Sequence, residues 1–146
     1  MAHFVFQGTS ALTLDSKGRV TVPARHRDAL LALSDNQLTL TQHPVGCLLV
    51  FPRPNWESFR TQLLGLPMEA DGWRRFFVGS AVDVEVDSAA RLLVPPELRA
   101  MAGLDKDVLL LGMGQRLELW DASRYAAHQA QVMAAGMPDA IKSFVF

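Results

Sequence analysis

The stretch "LDSKGRVTVPARHR" (14–27) returns as "VDSAARLLVPPELR" (86–99). At a constant offset of 72 the copies share Asp15/Asp87, Ser16/Ser88, Arg19/Arg91, Val22/Val94, Pro23/Pro95 and Arg27/Arg99. A repeat constrains the fold strongly, because each copy must adopt the same local structure and neither is large enough to bury much alone. The likeness continues on both sides. "GTSALTLD" from Gly8 matches "GSAVDVEVD" from Gly79, and "CLLVFPRPNW" (47–56) matches "RLELWDASRY" (116–125) at an offset of 69. Two units are therefore expected, at 9–55 and 81–124, with a helical linker at 56–80 and a C-terminal helix and tail at 125–146.

Each unit reads as strand, turn, strand, short helix and two more strands. Val82, Val84 and Val86 alternate with Asp83, Glu85 and Asp87, the period of a half-buried strand. "SKG" supplies a tight turn in which Gly18 suits a left-handed backbone. "RVTVP" is the return strand, and Pro23 opens a helix running to Leu33. "QLTLTQ" and "CLLVFP" pair around His43–Gly46. In the second copy the helix ends near Gly103, and "DVLLLGM" pairs with "RLELW" through a turn containing "GMG" (112–114). Asn55 is expected to cap a helix from Trp56 to about Leu64, Glu69–Phe77 to form another, and Asp121 or Ser123 to cap a last one ending at Gly136. The whole reads as an α+β pseudo-dimer within one chain. Its halves interlock, with Trp56, Trp73 and Trp120 in the core and Phe76 and Phe77 between the halves.

Composition narrows the chemistry. The chain is 49% hydrophobic and 20% charged, which reads as globular. The single Cys47 lies in the apolar run "GCLLVF" and reads as a buried, inert thiol. No stretch approaches a membrane span and no signal peptide is visible, so a cytoplasmic protein is expected. His3, His26, His43 and His128 lack metal-ligand spacing and read as solvated or capping residues. With no paired acid and base or partnered nucleophile, neither catalysis, metal, cofactor nor small-molecule substrate is expected.

Charge is neutral in sum but polarised. The net charge is −1, yet Ser16–Arg27 holds Lys17, Arg19, Arg25 and Arg27, with His26, and no acid. In the second copy Lys17 and Gly18 become Ala89 and Ala90, and Glu97 stands opposite Arg25. Asp15 and Asp87 are placed to hold their turns by accepting backbone N–H bonds, and Arg19 and Arg91 return four residues later to pair with them. A turn alone has no use for Lys17, Arg19 and a neighbouring Arg25. Two long cationic side chains on a hairpin tip fit the major groove, where arginine reads guanine bidentately. Lys17, Arg19 and Arg25, with Ser16 and Gly18 completing the turn, are the candidate DNA-binding residues. Asp15, Arg27, Asp87, Arg91 and Arg99 are the candidate structural residues of the motif. A scaffold whose basic hairpin binds an acidic protein is the rival reading.

At "FQGTSALTLDSKGRVTVPARHR", "DSAARLLVPPELR" and "LELWD" the sequence closely resembles the MraZ family over nearly its whole length. The resemblance implies tandem SpoVT-AbrB-type swapped-hairpin β-barrel units and a repressor acting on its own promoter and the division and cell-wall genes behind it. It also implies direct-repeat operators in double-stranded DNA, ring-like homo-oligomers and association with the nucleoid. The family's basic hairpin residues fall on Lys17 and Arg19, with Asp15 anchoring the turn. Two departures stand out. Ala90 occupies a position where the family usually has glycine, and alanine in a left-handed turn costs roughly 1–2 kcal/mol. Met1–Val5 precede the usual start at Phe6.

Overall fold

The structure is a computed structural model and describes residues 5–144. Its elements run β1 (Thr9–Thr13), β2 (Arg19–Thr21), α1 (Ala24–Ser34), β3 (Gln37–Gln42), β4 (Leu48–Pro52) and α2 (Arg53–Leu64). A 3-10 turn (Met68–Ala70) and α3 (Asp71–Phe77) lead to the second copy. That copy comprises β5 (Val82–Glu85), β6 (Arg91–Leu93), α4 (Pro96–Met101), β7 (Asp107–Gly112), β8 (Leu117–Asp121) and α5 (Ala122–Ala135), with α6 (Asp139–Lys142) last.

The copies exchange strands. β1 of the first pairs with β7 of the second, and β5 of the second pairs with β3 of the first. The six-stranded order β1-β7-β8-β4-β3-β5 reads the same from either end once equivalent strands are interchanged, so a pseudo-twofold axis passes between β4 and β8. The remaining strands, β2 and β6, form a separate antiparallel ribbon with Val20 opposite Leu92. This is the interlocked α+β pseudo-dimer of two swapped hairpins.

Three layers follow from the alternation of side chains. Leu38, Leu40, Leu48, Val50, Val108, Leu110, Leu117 and Leu119 point to one face of the sheet. There they meet Val20, Val22, Leu92 and Val94 of the ribbon region, and Leu30 and Leu98 of the short helices. The alternate residues include Leu49, Phe51, Leu109, Leu111 and Trp120, with Thr39, Thr41 and Glu118 buried among them, and the opposite face is also covered. α2 and α3 pack over Leu49 and Phe51, and Tyr125 of α5 packs over Leu111 and Trp120. Burial on both faces explains why β4 reads as a continuous apolar run rather than an alternating one.

Local expectations hold in most places and fail in four. α2 starts at Arg53, not after an Asn55 cap, because Pro54 fits the first turn of a helix; Asn55 instead donates from Nδ2 to the Gln115 carbonyl at 2.6 Å. Trp56 and Trp120 are buried, but Trp73 is 55% exposed. It sits on the seven-residue α3 and covers one side of its indole with Phe76 and Phe77, which leaves the other side uncovered. Those phenylalanines are only half-buried, and Phe77 packs edge-on to Phe59 on the outer face of the sheet rather than between the halves. His26 is buried, 3% exposed, because it lies on the inner side of α1 with its ring edge-on to Phe6. His43 does cap its turn, its Nδ1 accepting from Val45 N–H at 3.1 Å, whereas His128 lies over the Trp120 ring. His3 lies outside the described residues.

The "GMG" segment is a hairpin turn, and it also seats the N-terminal segment. Phe6 and Gly114 exchange backbone hydrogen bonds at 2.8 and 2.9 Å. A Cβ on Gly112 would run into the backbone of Phe6 and Gln7. Gly112→Ala is therefore expected to lift this segment and withdraw Phe6 from the core at a cost of about 1–3 kcal/mol. A lowered urea midpoint with an unchanged slope would show it.

Candidate nucleic-acid interface

The two motif turns are built alike. Asp15 Oδ1 accepts from the backbone N–H of Lys17 (2.9 Å) and of Arg19 (2.8 Å), while Oδ2 accepts from Arg19 Nε (2.8 Å). In the second copy Asp87 Oδ1 accepts from Ala89 and Arg91 N–H, both at 2.9 Å, and Oδ2 from Arg91 Nε at 3.3 Å. Backbone bonds close each turn, from Gly18 N–H to Asp15 O (3.0 Å) and from Ala90 N–H to Asp87 O (2.9 Å). The loss of glycine does not change the turn: Ala90 has φ 60° and Gly18 φ 86°, both left-handed. Ala90 carries the strain of that conformation because the Asp87 bonds over-determine it.

These bonds hold both aspartates below the usual carboxylate value of 3.8, chiefly through the backbone N–H of Arg19 for Asp15 and of Arg91 for Asp87. A lowered folded-state pKa stabilises the fold above the unfolded value, and that contribution is lost as pH falls through the folded values. Carboxyl-carbon NMR titration is expected to place both aspartates below 3.8. The turns should loosen only at pH values below that, with the Asp15→Asn and Asp87→Asn variants losing the dependence.

The ribbon separates what the sequence puts together. Val94 N–H donates to Gly18 O and Val22 N–H to Ala90 O, so each turn lies beside the helix start of the other copy. The first turn thus lies against Val94 and Arg99 at one end of the ribbon. Arg27, bonded to Val22 O, lies by the second turn at the other. The expectation that Arg25 stands beside Lys17 and Arg19 is corrected by the strand exchange. Arg25 is moreover engaged: one terminal nitrogen donates to Thr9 O (2.9 Å) and Ser10 Oγ (2.6 Å), clamping the start of β1.

The remaining candidates divide by exposure. Ser16 and Lys17 are exposed at the tip and Arg19 is half-buried against Asp15. Gly18 is buried beneath the Arg99 guanidinium, where a Cβ would stand 2.6 Å from Cζ. Arg27 and Arg99 each turn Nε back to the carbonyl at their own helix start, Val22 O at 2.9 Å and Val94 O at 3.0 Å. Arg99 is half-buried over Gly18, while Arg27, whose counterpart turn carries the Ala90 methyl, is exposed. Arg19 and Arg91 share one outward face of the ribbon, since Val20 and Leu92 between them point inward.

Sequence reading misses Lys106, which reaches the first turn because its carbonyl accepts from Leu14 N–H at 2.8 Å. Only the β1–β7 pairing brings it there, and nothing local signals that pairing. Other cations are engaged internally. Arg53 donates to Leu38 O (2.7 Å), and Arg74 to Leu63, Leu66 and Pro67 carbonyls. Arg124 donates to Gly46 O at 2.9 Å. Among the described residues no group of three or more His, Cys, Asp or Glu could hold a metal, and no helix is long and apolar enough to cross a membrane. Burial pushes the Cys47 thiol well above its ordinary value, so it stays protonated and unreactive.

Strand exchange between two copies of one motif, with an Asp-anchored turn at either end of a shared ribbon, defines a tandem swapped-hairpin protein. The MraZ family, described as MraZ protein and antitoxin-like, matches residues 5–78 and again 76–140. Relatives named Transcriptional regulator MraZ are 62% identical in Methylibium petroleiphilum and 63% in Leptothrix cholodnii, over 146 residues and the whole of both chains. A third of that name, from Cupriavidus taiwanensis, is 58% identical over 97% of this chain and all of its own. The chain belongs to the MraZ family, and transcription regulation is the role that membership carries.

Proposed function

We propose that the chain is a cytoplasmic, nucleoid-associated, sequence-specific DNA-binding repressor, acting on its own promoter and the division and cell-wall genes behind it. The observation that carries this reading is the tip of the first turn. There Lys17 projects freely beside an Arg19 whose orientation is fixed by Asp15, on a rigid backbone with no other use for an exposed cation. Arg19 keeps its terminal nitrogens for a base edge while Nε holds its position, and Ser16 and Lys17 face the phosphates. Gly18 contributes by letting Arg99 close over the turn. Arg25, exposed and holding Thr9 and Ser10 with one terminal nitrogen, adds a phosphate contact through the other.

One protomer offers about three such cations, which gives a salt slope near −3 in log–log terms, too shallow for tight specific binding. A closed ring of identical chains presents the turn repeatedly, and direct repeats in phase with the DNA helix engage several copies at once. Electrophoretic shift with the protein's own upstream DNA tests the reading, with sedimentation at micromolar concentration alongside. A shift that needs the direct repeats, from a discrete multimer, is expected. Nanomolar binding by a strict monomer would remove the ring, and no shift at all would favour a scaffold with an acidic protein partner.

A further inference from the structure

Lysines are few in this chain: Lys17, Lys106 and Lys142. Two of them, from different copies of the motif, come together at the first turn. Lys106 lies between α4 and β7 in a segment fastened at both ends. Leu104 N–H donates to Arg99 O at 2.9 Å, and Lys106 O accepts from Leu14 N–H at 2.8 Å. The second bond extends by one residue the β1–β7 register, in which Thr13 stands opposite Asp107. Lys106 therefore faces the side of the sheet that Leu12, Leu14 and Val108 face, which is the side carrying the ribbon. There it shares an open cleft of about 510 Å³ with Asp15, Ser16 and Arg99.

The charges around this cleft leave Lys106 unused. Asp15 is engaged by the backbone N–H groups of Lys17 and Arg19 and by Arg19 Nε. Arg99 lies over Gly18 with its own Nε on Val94 O. Asp107 alternates to the opposite side of β7 with Thr13. Asp105 lines the cleft, but it is exposed, and neither Lys106 nor Lys17 has an ion-pair partner among the described residues. The second turn supplies the contrast. There Val86 N–H donates to Asn36 O at 2.9 Å, so Asn36 stands where Lys106 stands, and Ala89 stands where Lys17 stands. Two separate positions, one within the turn and one delivered by the other copy, thus carry lysine at the first turn and a neutral residue at the second.

We propose that Lys106 is a DNA-phosphate contact, placed by the second copy beside the turn through which the first copy reads DNA. This rests on the DNA-binding reading of that turn. A lysine is a compact point charge on a flexible stem, suited to a phosphate rather than to the fixed geometry of a base edge. Arg19, oriented by Asp15, does the reading, while Lys17 and Lys106 hold the backbone near it. The reading end is then assembled from both copies and exists only once their strands have been exchanged.

The test is fluorescence anisotropy of the full chain on a duplex of its own upstream DNA and on an unrelated duplex of equal length, between about 50 and 200 mM salt. Lys106→Ala is expected to weaken both duplexes by the same factor and to flatten the salt slope by about one unit per engaged protomer, with the ratio between duplexes unchanged. Lys106→Arg should restore the slope. Lys142→Ala removes the same charge from α6 and should leave the slope as it is. A Lys106→Ala slope equal to that of the unaltered chain would overturn the inference and leave the DNA-binding reading standing. Equal flattening by Lys142→Ala would also overturn it, since the effect would then be one of net charge. A lost preference for the upstream duplex at an unchanged slope would make Lys106 a base reader and remove the phosphate contact. If the unaltered chain binds neither duplex, the DNA-binding reading itself falls and the inference with it. Should Lys106→Ala lower the thermal midpoint, Lys106→Gln, which keeps most of the stem, carries the same expectations.

Discussion

Arg19→Ala is expected to abolish binding to the operator, while Arg91→Ala leaves the affinity of the folded protein nearly intact. The structure makes the pair a controlled comparison. Both arginines leave their strands from the same position of the motif, donate Nε to the aspartate four residues earlier and lie on the same face of the ribbon. Their ion pairs are exposed and screened by solvent, so neither loss should unfold the chain. The stability costs should match, and any difference in DNA affinity then belongs to recognition alone. An arginine reading a base contributes on the order of 1–3 kcal/mol per engaged protomer, multiplied across the proposed ring. Lys17→Ala should weaken binding to all sequences alike and flatten the salt slope by about one unit per engaged protomer. Thermal midpoints and gel shifts on the three variants decide it. If folded, oligomeric Arg91→Ala loses the operator as completely as Arg19→Ala, both ends of the ribbon read DNA. Arg27 would then join Arg25 in the reading surface.

The second large effect is on the core. Leu98 belongs to the second copy and is 1% exposed, packed in the same cluster as Val20, Val22 and Leu30 of the first. Leu98→Ala is expected to cost about 2–5 kcal/mol, a large part of the ~5–15 kcal/mol by which a domain of this size is stable. Because the strands are exchanged, the loss should lower the stability of both copies together, and urea unfolding should remain one transition by fluorescence and by circular dichroism. Leu30→Ala, in α1 of the first copy and in the same cluster, should do the same. Two separable transitions, with only one moved by Leu98→Ala, would show that the copies fold independently.

The repeat, read from residues alone, determined a good deal. It supplied the two-copy organisation, the strand and helix types, the Asp-anchored turns and the pairing of Arg19 and Arg91 with them. These are short-range matters: a side chain reaching a backbone N–H two or four residues away depends on little beyond the residues between. The strand exchange was legible only as a consequence of small size and repetition. Its effect on the charges was not legible at all. Sequence places Arg25 eight residues from Lys17, but β2 runs between them and delivers them to opposite ends of the ribbon, while β1–β7 pairing brings Lys106 to the first turn. Trp73 and His26 failed for a related reason. An indole on a helix reads as core and an imidazole beside arginines reads as surface, yet burial depends on which side of a helix meets another layer. The stacked rings of Phe51 and Phe59 and the Arg116–Glu118 pair come from α2, β4 and β8 meeting on one face of the sheet. Residues 70 positions apart in the chain became neighbours there through long-range strand pairing, which only tertiary structure decides.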